Sequence, residues 1–206
     1  MNLSIKSKSI FKSFLAFVVM ISLVAGNVFA ISEVIVTAPN GGEKWKGTQT
    51  LTWSSDCSSG ENINIALGKG GSVENPGSSS VIALNTDCTP ESLSFNTATK
   101  TDGADYQIRI ESTQFPTILF DYSGGFFTID NTKPTSSASA LSAYQTLATF
   151  NIDFTSSDAT SGVKSVELFY NKDGAGYISY GTNTTGTSFT FTAAVDGTYQ
   201  FYTRAT

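Results

Sequence analysis

The feature that most constrains this chain is the alternation of apolar and polar side chains from residue 31 onward. Leu51 and Trp53 alternate with polar neighbours, as do Tyr106, Ile108 and Ile110. Successive side chains of a strand point to opposite faces, so this pattern predicts strands with one buried face. The segments are short, lack a helical stripe, and are separated by Gly, Asn, Asp, Ser and Pro clusters. We therefore predict an all-β fold of antiparallel, immunoglobulin-like sandwiches.

The series of alternating segments breaks at residues 130–134, where Asp, Asn, Thr, Lys and Pro follow one another, and then starts again. Such a polar, proline-containing stretch is typical of a short joint between domains. We predict two tandem sandwiches, at residues 31–131 and 132–206, with seven and six strands. A seventh strand is expected beside the strand at residues 197–205, since a bare edge exposes unpaired backbone groups. The second sandwich is thus predicted to be C-terminally incomplete and the sequence to be a fragment; a natural six-strand domain is the alternative.

The first 30 residues have the order of a secretory signal. Lys6, Lys8 and Lys12 precede an apolar run at residues 14–26, and the sequence Val-Phe-Ala ends at Ala30. The apolar run is short for a membrane span and fits a signal peptide cleaved after Ala30. We expect a secreted, extracellular or cell-surface protein, with an uncleaved N-terminal anchor as the alternative.

The composition argues against several classes of function. The chain has no histidine, which is the commonest general base and zinc ligand, and only two cysteines. Its 12 basic residues are outnumbered by 17 acidic ones, and the bases form no cluster that would bind a phosphate backbone. We expect no nucleic-acid partner, no cofactor, no metal and no enzymatic activity.

Cys57 and Cys88 are the two cysteines. In an exported chain a lone pair usually oxidises, and the predicted strand directions place both residues in loops at one pole of the first sandwich. We predict a disulfide, with two free thiols as the alternative.

Several motifs of the first domain identify a family resemblance. They are Ile-Val-Thr-Ala-Pro-Asn-Gly-Gly-Glu-Lys-Trp at 35–45, Leu-Thr-Trp at 51–53, Gly-Ala-Asp-Tyr-Gln-Ile-Arg-Ile at 103–110 and Phe-Phe-Thr-Ile at 126–129. The first domain resembles the Ser/Thr-rich GPI-anchored membrane protein family, also described as the N-terminal domain of yeast cell-wall-synthesis proteins. The resemblance implies an extracellular β-sandwich and supplies no catalytic residues.

The second domain resembles bacterial Ig-like or fibronectin type III modules. The matching segments are Ser-Asp-Ala-Thr-Ser-Gly-Val at 157–163, Val-Glu-Leu-Phe-Tyr at 166–170 and the last ten residues, 197–206. Together the two resemblances imply a spacer, adhesion or wall-associated role.

Aromatic residues raise the possibility of sugar stacking. Trp45 follows a turn, is expected to be partly exposed, and is the candidate ligand-stacking residue. Trp53 is expected in the core. Tyr177, Tyr180 and Tyr202 are further candidates, and the alternation predicts that Tyr202 faces outward. A structural role is the alternative for all of these rings.

Three polar motifs have simpler interpretations. Pro39–Gly42 lacks the helix and the Lys-Ser/Thr pair of a phosphate loop, so a tight turn is predicted. Asp102, Asp105, Asp130 and Asn131 are candidate calcium ligands at the joint, although their spacing matches no ligand loop and turns are rich in Asp anyway. Asn183 begins a glycosylation sequon in a loop whose setting is compatible with modification.

The first functional hypothesis is a non-catalytic secreted or cell-surface structural or adhesion module, with cell-wall polysaccharide or other surface proteins as partners. The alternatives are a carbohydrate-binding module and an accessory pair of domains in a larger secreted hydrolase.

Overall fold

The computed structural model describes residues 31–71 and 81–206 of the chain. These residues form strands, turns and bends, and none of them belongs to a helix long and apolar enough to cross a bilayer. The predicted signal peptide, residues 1–30, lies outside the described residues.

The first sandwich packs a three-stranded sheet, in the order β1-β3-β6, against a six-stranded sheet, in the order β2-β9-β7-β4-β5 with β8 also paired to β7. Its strands are β1 Val34–Ala38, β2 Lys44–Trp45, β3 Thr48–Ser55, β4 Asn62–Lys69, β5 Val81–Asp87, β6 Ser92–Asn96, β7 Gly103–Ser112, β8 Phe120–Tyr122 and β9 Phe127–Ile129. All pairings are antiparallel except that of β2 with β9, which is parallel.

The core of the first sandwich follows the predicted alternation. Leu51 and Trp53 of β3 point from the three-stranded sheet into the core and are buried there. Ile63, Ile108 and Ile110 point into it from the six-stranded sheet and are fully buried. Each fully buried side chain of this size stabilises the fold by about 1.5–3 kcal/mol relative to an exposed one.

The second sandwich packs two three-stranded sheets, in the orders β10-β11-β14 and β13-β12-β15. Its strands are β10 Thr135–Ala138, β11 Thr149–Ser157, β12 Val166–Lys172, β13 Tyr177–Asn183, β14 Ser188–Thr192 and β15 Tyr199–Ala205. Its buried core consists of Ile152, Phe154, Val166, Leu168, Phe189 and Phe191.

The two hydrophobic clusters share no residue. The prediction of an all-β fold with tandem sandwiches is therefore confirmed, and the described part of the second sandwich has the six predicted strands. The exact division at residue 131 stays a prediction. In the first sandwich the short strands β2 and β8 were not predicted, because two or three residues are too few to show alternation.

The Pro-Asn-Gly-Gly motif forms the predicted turn. Gly41 and Gly42 have φ angles of 121° and 84°, which favour glycine. A Cβ atom at Gly41 would lie 3.0 Å from the Cα of Gly125, so the turn packs backbone against backbone there. The carboxylate of Glu43 accepts hydrogen bonds from the backbone N–H groups of Asn40, at 2.7 Å, and Gly41, at 2.8 Å. The glutamate of the motif therefore holds the turn closed.

Candidate interaction surfaces

The predicted disulfide is present. Cys57 follows β3 and Cys88 follows β5, and their Cα atoms are 6.3 Å apart. Cys88 is fully buried, and its carbonyl accepts a hydrogen bond of 3.1 Å from the indole N–H of Trp53. The disulfide thus joins two loops at one pole and is packed directly onto the core.

Trp45 does not lie on the surface. Its side chain is only 7% exposed, and its ring packs against Phe127 at 5.0 Å and Phe95 at 6.4 Å between centroids. The expectation of partial exposure is wrong because β2 pairs in parallel with β9, which places Trp45 opposite Ile129 and turns its ring between the sheets. A ring buried in this way has no face for a sugar, so we do not retain the stacking role. Trp53 lies in the core as predicted, at 2% exposure.

The acidic residues near residue 131 form hydrogen bonds within the protein. The two carboxylate oxygens of Asp102 accept from the backbone N–H of Asn131, at 2.7 Å, and from the Thr132 hydroxyl, at 2.5 Å. The carboxylate of Asp130 accepts from the backbone N–H groups of Thr132, at 3.1 Å, and Ser161, at 3.2 Å.

The amide of Asn131 completes this network. Its nitrogen donates to the carbonyls of Thr97 and Lys100, at 2.9 and 3.1 Å. Across residues 31–71 and 81–206, no group of three or more Asp, Glu, His or Cys side chains is arranged to hold a metal ion. Three of the four candidate calcium ligands, Asp102, Asp130 and Asn131, therefore connect the end of the first sandwich to the start of the second, and Asp105 forms none of these bonds.

The hydrogen bonds to Asp102 also change its acidity. The Thr132 hydroxyl and the Asn131 backbone N–H lower the pKa of the Asp102 carboxyl below its ordinary value, because both donate to the ionised form. The ionised carboxylate is therefore the form that connects residues 131 and 132 to the first sandwich.

The sequon asparagine is part of a tight turn. The side-chain nitrogen of Asn183, to which a glycan would be attached, donates to the carbonyl of Ser188 at 2.9 Å. Its side-chain oxygen accepts from the backbone N–H groups of Thr185 and Gly186. In the folded module this nitrogen points into the turn and is already hydrogen-bonded. The setting of Asn183 therefore disfavours glycosylation of the folded chain, contrary to the expectation from the sequence.

An aromatic strip lies on the outer face of the sheet β13-β12-β15. We define the aromatic strip as Phe169, Tyr177 and Tyr202. Phe169 and Tyr202 are directly opposite in the pairing of β12 with β15, and their rings stack at 4.7 Å with an angle of 2° between planes. Tyr177 packs edge-on against Tyr202 at 4.8 Å. The prediction that Tyr202 faces outward is confirmed, since it is 38% exposed, and Tyr177 is 47% exposed.

A charged group fixes one end of the aromatic strip. The guanidinium of Arg204 lies 4.8 Å from the centre of the Phe169 ring and pairs with Glu167 at 2.6 Å. The Ser179 hydroxyl donates to the same carboxylate at 2.6 Å. These two partners, Ser179 first and then Arg204, lower the pKa of Glu167. The strip is thus an ordered row of rings with an ionised pair beside it.

The third tyrosine candidate has a structural role. The hydroxyl of Tyr180 donates to the carbonyl of Thr190 at 2.9 Å and accepts from the backbone N–H of Thr192 at 3.2 Å. Its ring packs on Phe191 at 4.7 Å. Tyr180 therefore connects the two sheets of the second sandwich.

A buried ion pair lies on the large sheet of the first sandwich. Arg109 and Glu111 alternate with buried isoleucines, which predicts the solvent-exposed face for them, yet they are 4% and 2% exposed. They pair at 2.8 Å, Arg109 donates to the carbonyl of Pro116 at 3.0 Å, and its guanidinium lies 4.8 Å from the ring of Phe120. The expectation failed because the segment after β7 returns over this face and covers both charges.

The covering segment exposes apolar groups of its own. Phe115, Ile118, Phe120 and Tyr122 are between 37% and 72% exposed. Their concentration within residues 115–122 is visible in the sequence, and it is the one signal that could have indicated a surface at this position.

Comparison with known proteins supports the resemblance of the first sandwich. Residues 38–129 match the family model of the Kre9/KNH-like N-terminal Ig-like domain. The match extends from the end of β1 to the end of β9 and agrees with the resemblance to the N-terminal domain of cell-wall-synthesis proteins. No curated protein matches the chain. The first sandwich is thus similar to a cell-wall-related Ig-like domain; the similarity to GPI-anchored proteins and that of the second sandwich to bacterial modules stay predictions.

Proposed function

We propose that this protein is a non-catalytic structural module of the cell surface, exported from the cell and associated with the cell wall. The single observation that supports this most strongly is the match of residues 38–129 to the Kre9/KNH-like N-terminal Ig-like domain. A wall-associated role requires an exported chain, which fits the leader-like sequence at residues 1–30.

The use of polar side chains in the described residues is consistent with a structural role. Asp102, Asp130 and Glu43 accept hydrogen bonds from backbone N–H groups of turns and of the joint. Groups committed to backbone bonds in this way order the fold and are not free to transfer protons to a substrate. The two sandwiches then act as spacers that present surfaces away from the point of attachment.

The aromatic strip is the surface that we propose to contact wall polysaccharide. Its rings and the adjacent pair of Arg204 and Glu167 offer both apolar surface and hydrogen-bonding groups, which is the mixture that sugars require. The face of Phe169 is covered by Tyr202 and by Arg204, so the exposed parts of Tyr177 and Tyr202 would make the contact.

The experiment is co-sedimentation of the purified secreted chain with insoluble glucan, chitin and peptidoglycan. Binding to one of them is expected, and the variant Tyr177→Ala/Tyr202→Ala is expected to lose most of it. Tyr144→Ala is the matched control, because Tyr144 is 89% exposed but lies outside the strip. Equal binding by the double variant and the control would exclude the strip as the contact.

The hydrolase-accessory alternative differs in one measurable respect. If the sandwiches serve a catalytic domain, the protein isolated from its own cells would release soluble sugars from the polysaccharide that it binds. A structural module would bind without releasing sugars.

A further inference from the structure

Two carboxylates hold the segment that leads into β1. The backbone nitrogen of Ile31 donates to Oε1 of Glu61 at 2.7 Å. The backbone N–H groups of Ser32 and Glu33 donate to Oδ1 of Asp56, at 2.9 and 3.0 Å. Residues 31–33 are therefore bound, through their backbone nitrogens, to the loop between β3 and β4.

The Ile31 nitrogen has a fixed and buried position. The Ile31 side chain is 5% exposed and belongs to the core cluster of the first sandwich. Three residues later Val34 begins β1 and pairs with Ser55 of β3. Core packing and strand pairing together therefore hold the Ile31 nitrogen against Glu61.

The carboxylate of Glu61 is buried beside neutral donors. Glu61 is 8% exposed, and its second oxygen, Oε2, accepts from the backbone N–H of Ser58 at 2.6 Å. The three ion pairs formed by the described residues do not include Glu61. Burial removes the hydration of a carboxylate, and its free-energy cost is offset best by an opposite charge. The surroundings of Glu61 therefore suit a cation.

The sequence can place a cation on the Ile31 nitrogen itself. Residues 1–30 have the order of a leader, with its predicted cleavage point after Ala30. A leader peptidase hydrolyses the Ala30–Ile31 peptide bond with one water molecule. The hydroxyl of the water goes to the Ala30 carbonyl carbon, and the resulting acid releases a proton. The Ile31 nitrogen gains the remaining hydrogen and one proton, and at neutral pH it is an ammonium group.

We propose that the first sandwich contains a binding site for its own new N-terminus, in which the α-ammonium of Ile31 forms a buried ion pair with the carboxylate of Glu61. Cleavage puts the positive charge on an atom that already lies 2.7 Å from Oε1. A hydrogen bond between two charged groups is about twice as strong as one between neutral groups. The proposal rests on the exported state in the proposed function, since only an exported chain loses its leader.

The same site selects the point of cleavage. Consecutive Cα atoms are about 3.8 Å apart, so a cut one residue to either side would move the charge away from Glu61. The backbone carbonyl of Glu61 also accepts from the N–H of Cys88 at 3.2 Å. The ion pair therefore joins the new N-terminus to the pole that carries the disulfide, and the first sandwich reaches its full stability only after the leader is removed.

The first test is N-terminal sequencing of the protein isolated from its own cells. Ile31 is expected as the first residue. A different first residue would overturn the proposal and leave the exported state of the proposed function in place. A chain that still carries residues 1–30 would overturn both.

The second test compares two forms of the chain. The processed form begins with Ile31, and the extended form begins with Phe29, so that its Ile31 nitrogen stays an amide. Both are released from a fused tag by a protease that leaves no residue of its own. Urea unfolding is followed by tryptophan fluorescence, which reports the first sandwich because Trp45 and Trp53 are the only tryptophans and both lie in its core.

The informative variant is Glu61→Gln, which keeps the size and one acceptor of the side chain but removes its charge. In the processed form it leaves a buried ammonium without a counter-charge, so the equilibrium constant for unfolding should rise about 10- to 100-fold. In the extended form a neutral N–H still meets a neutral acceptor, and the rise should be much smaller.

The matched control is Asp56→Asn. Asp56 binds the backbone N–H groups of Ser32 and Glu33, which are amides in both forms. The control should therefore raise the unfolding constant by a similar factor in the processed and extended forms.

Equal effects of Glu61→Gln in the two forms would overturn the ion pair, while export and wall association would stand. If the Glu61→Gln protein does not fold, the unsubstituted forms decide the question. The processed form is expected to unfold at a higher Tm in its first sandwich, and an equal Tm for both forms would overturn the proposal.

Discussion

The two sandwiches enclose their cores by different means. In the first, a disulfide joins the loop after β3 to the loop after β5 at one pole of the sandwich. The parallel pairing of β2 with β9 places Trp45 in the core. In the second, two three-stranded sheets close over a cluster of rings in which Phe191 contacts five others. The first sandwich thus has a covalent crosslink in addition to its packed core, whereas the core of the second consists largely of packed aromatic rings.

This difference indicates a division of roles. The disulfide of the first sandwich restricts its unfolded state and so stabilises the folded one, which suits a spacer. A sandwich with an exposed row of rings, the aromatic strip, retains a surface that can bind other molecules.

The largest effect is expected from breaking the buried ion pair of the first sandwich. Arg109→Met leaves the charge of Glu111 buried beside an apolar side chain, which should lower the free energy of unfolding by about 3–5 kcal/mol. Urea unfolding measures it. The double variant Arg109→Met/Glu111→Leu removes both charges and should recover most of the loss.

The matched control is the ion pair of the second sandwich between Lys172 and Asp173, which lies on the surface. Lys172→Met should change stability little, because solvent screens an exposed pair. Equal effects of Arg109→Met and Lys172→Met would contradict the contrast between the two sandwiches.

The second effect in size is expected from removing the disulfide. The bond closes a loop with a sequence separation of 31, and the chain-entropy estimate for a loop of this length is about 3–4 kcal/mol. The variant Cys57→Ala/Cys88→Ala should therefore unfold at lower temperature in its first sandwich. Calorimetry should show that the unfolding of the second sandwich, which contains no cysteine, is unchanged. A uniform shift of both would show that the sandwiches unfold as one unit.

The sequence predicted those parts of the fold that depend on regular alternation. Leu51, Trp53, Ile108 and Ile110 are buried as expected, because each belongs to a strand long enough to show period two. The disulfide was also predictable, since strand directions place both cysteines at one pole.

The sequence failed where a residue's environment depends on distant segments. The burial of Trp45 follows from a two-residue strand that pairs with β9, more than eighty positions away in the chain. Arg109 is buried by the return of residues 113–122, which local alternation does not indicate. The Tyr202 ring was placed outward correctly, but its stacking on Phe169 depends on the register of β12 with β15.

The smallest effect concerns the joint at which the contrasting sandwiches meet. The Thr132 hydroxyl lowers the pKa of Asp102, so ionised Asp102 stabilises the folded state. Because the folded pKa lies below the ordinary value of 3.8, this contribution is present above pH 3.8 and is lost as the pH falls through the folded pKa. Thr132→Val removes the hydroxyl and should raise the pKa of Asp102 toward its ordinary value, whereas Thr132→Ser keeps it. Carboxyl titration by NMR measures the pKa. A Thr132→Val protein that titrates like the Thr132→Ser protein would show that the Thr132 hydroxyl does not lower the pKa of Asp102, and that the Asn131 N–H and the other neighbours of the carboxylate do so without it.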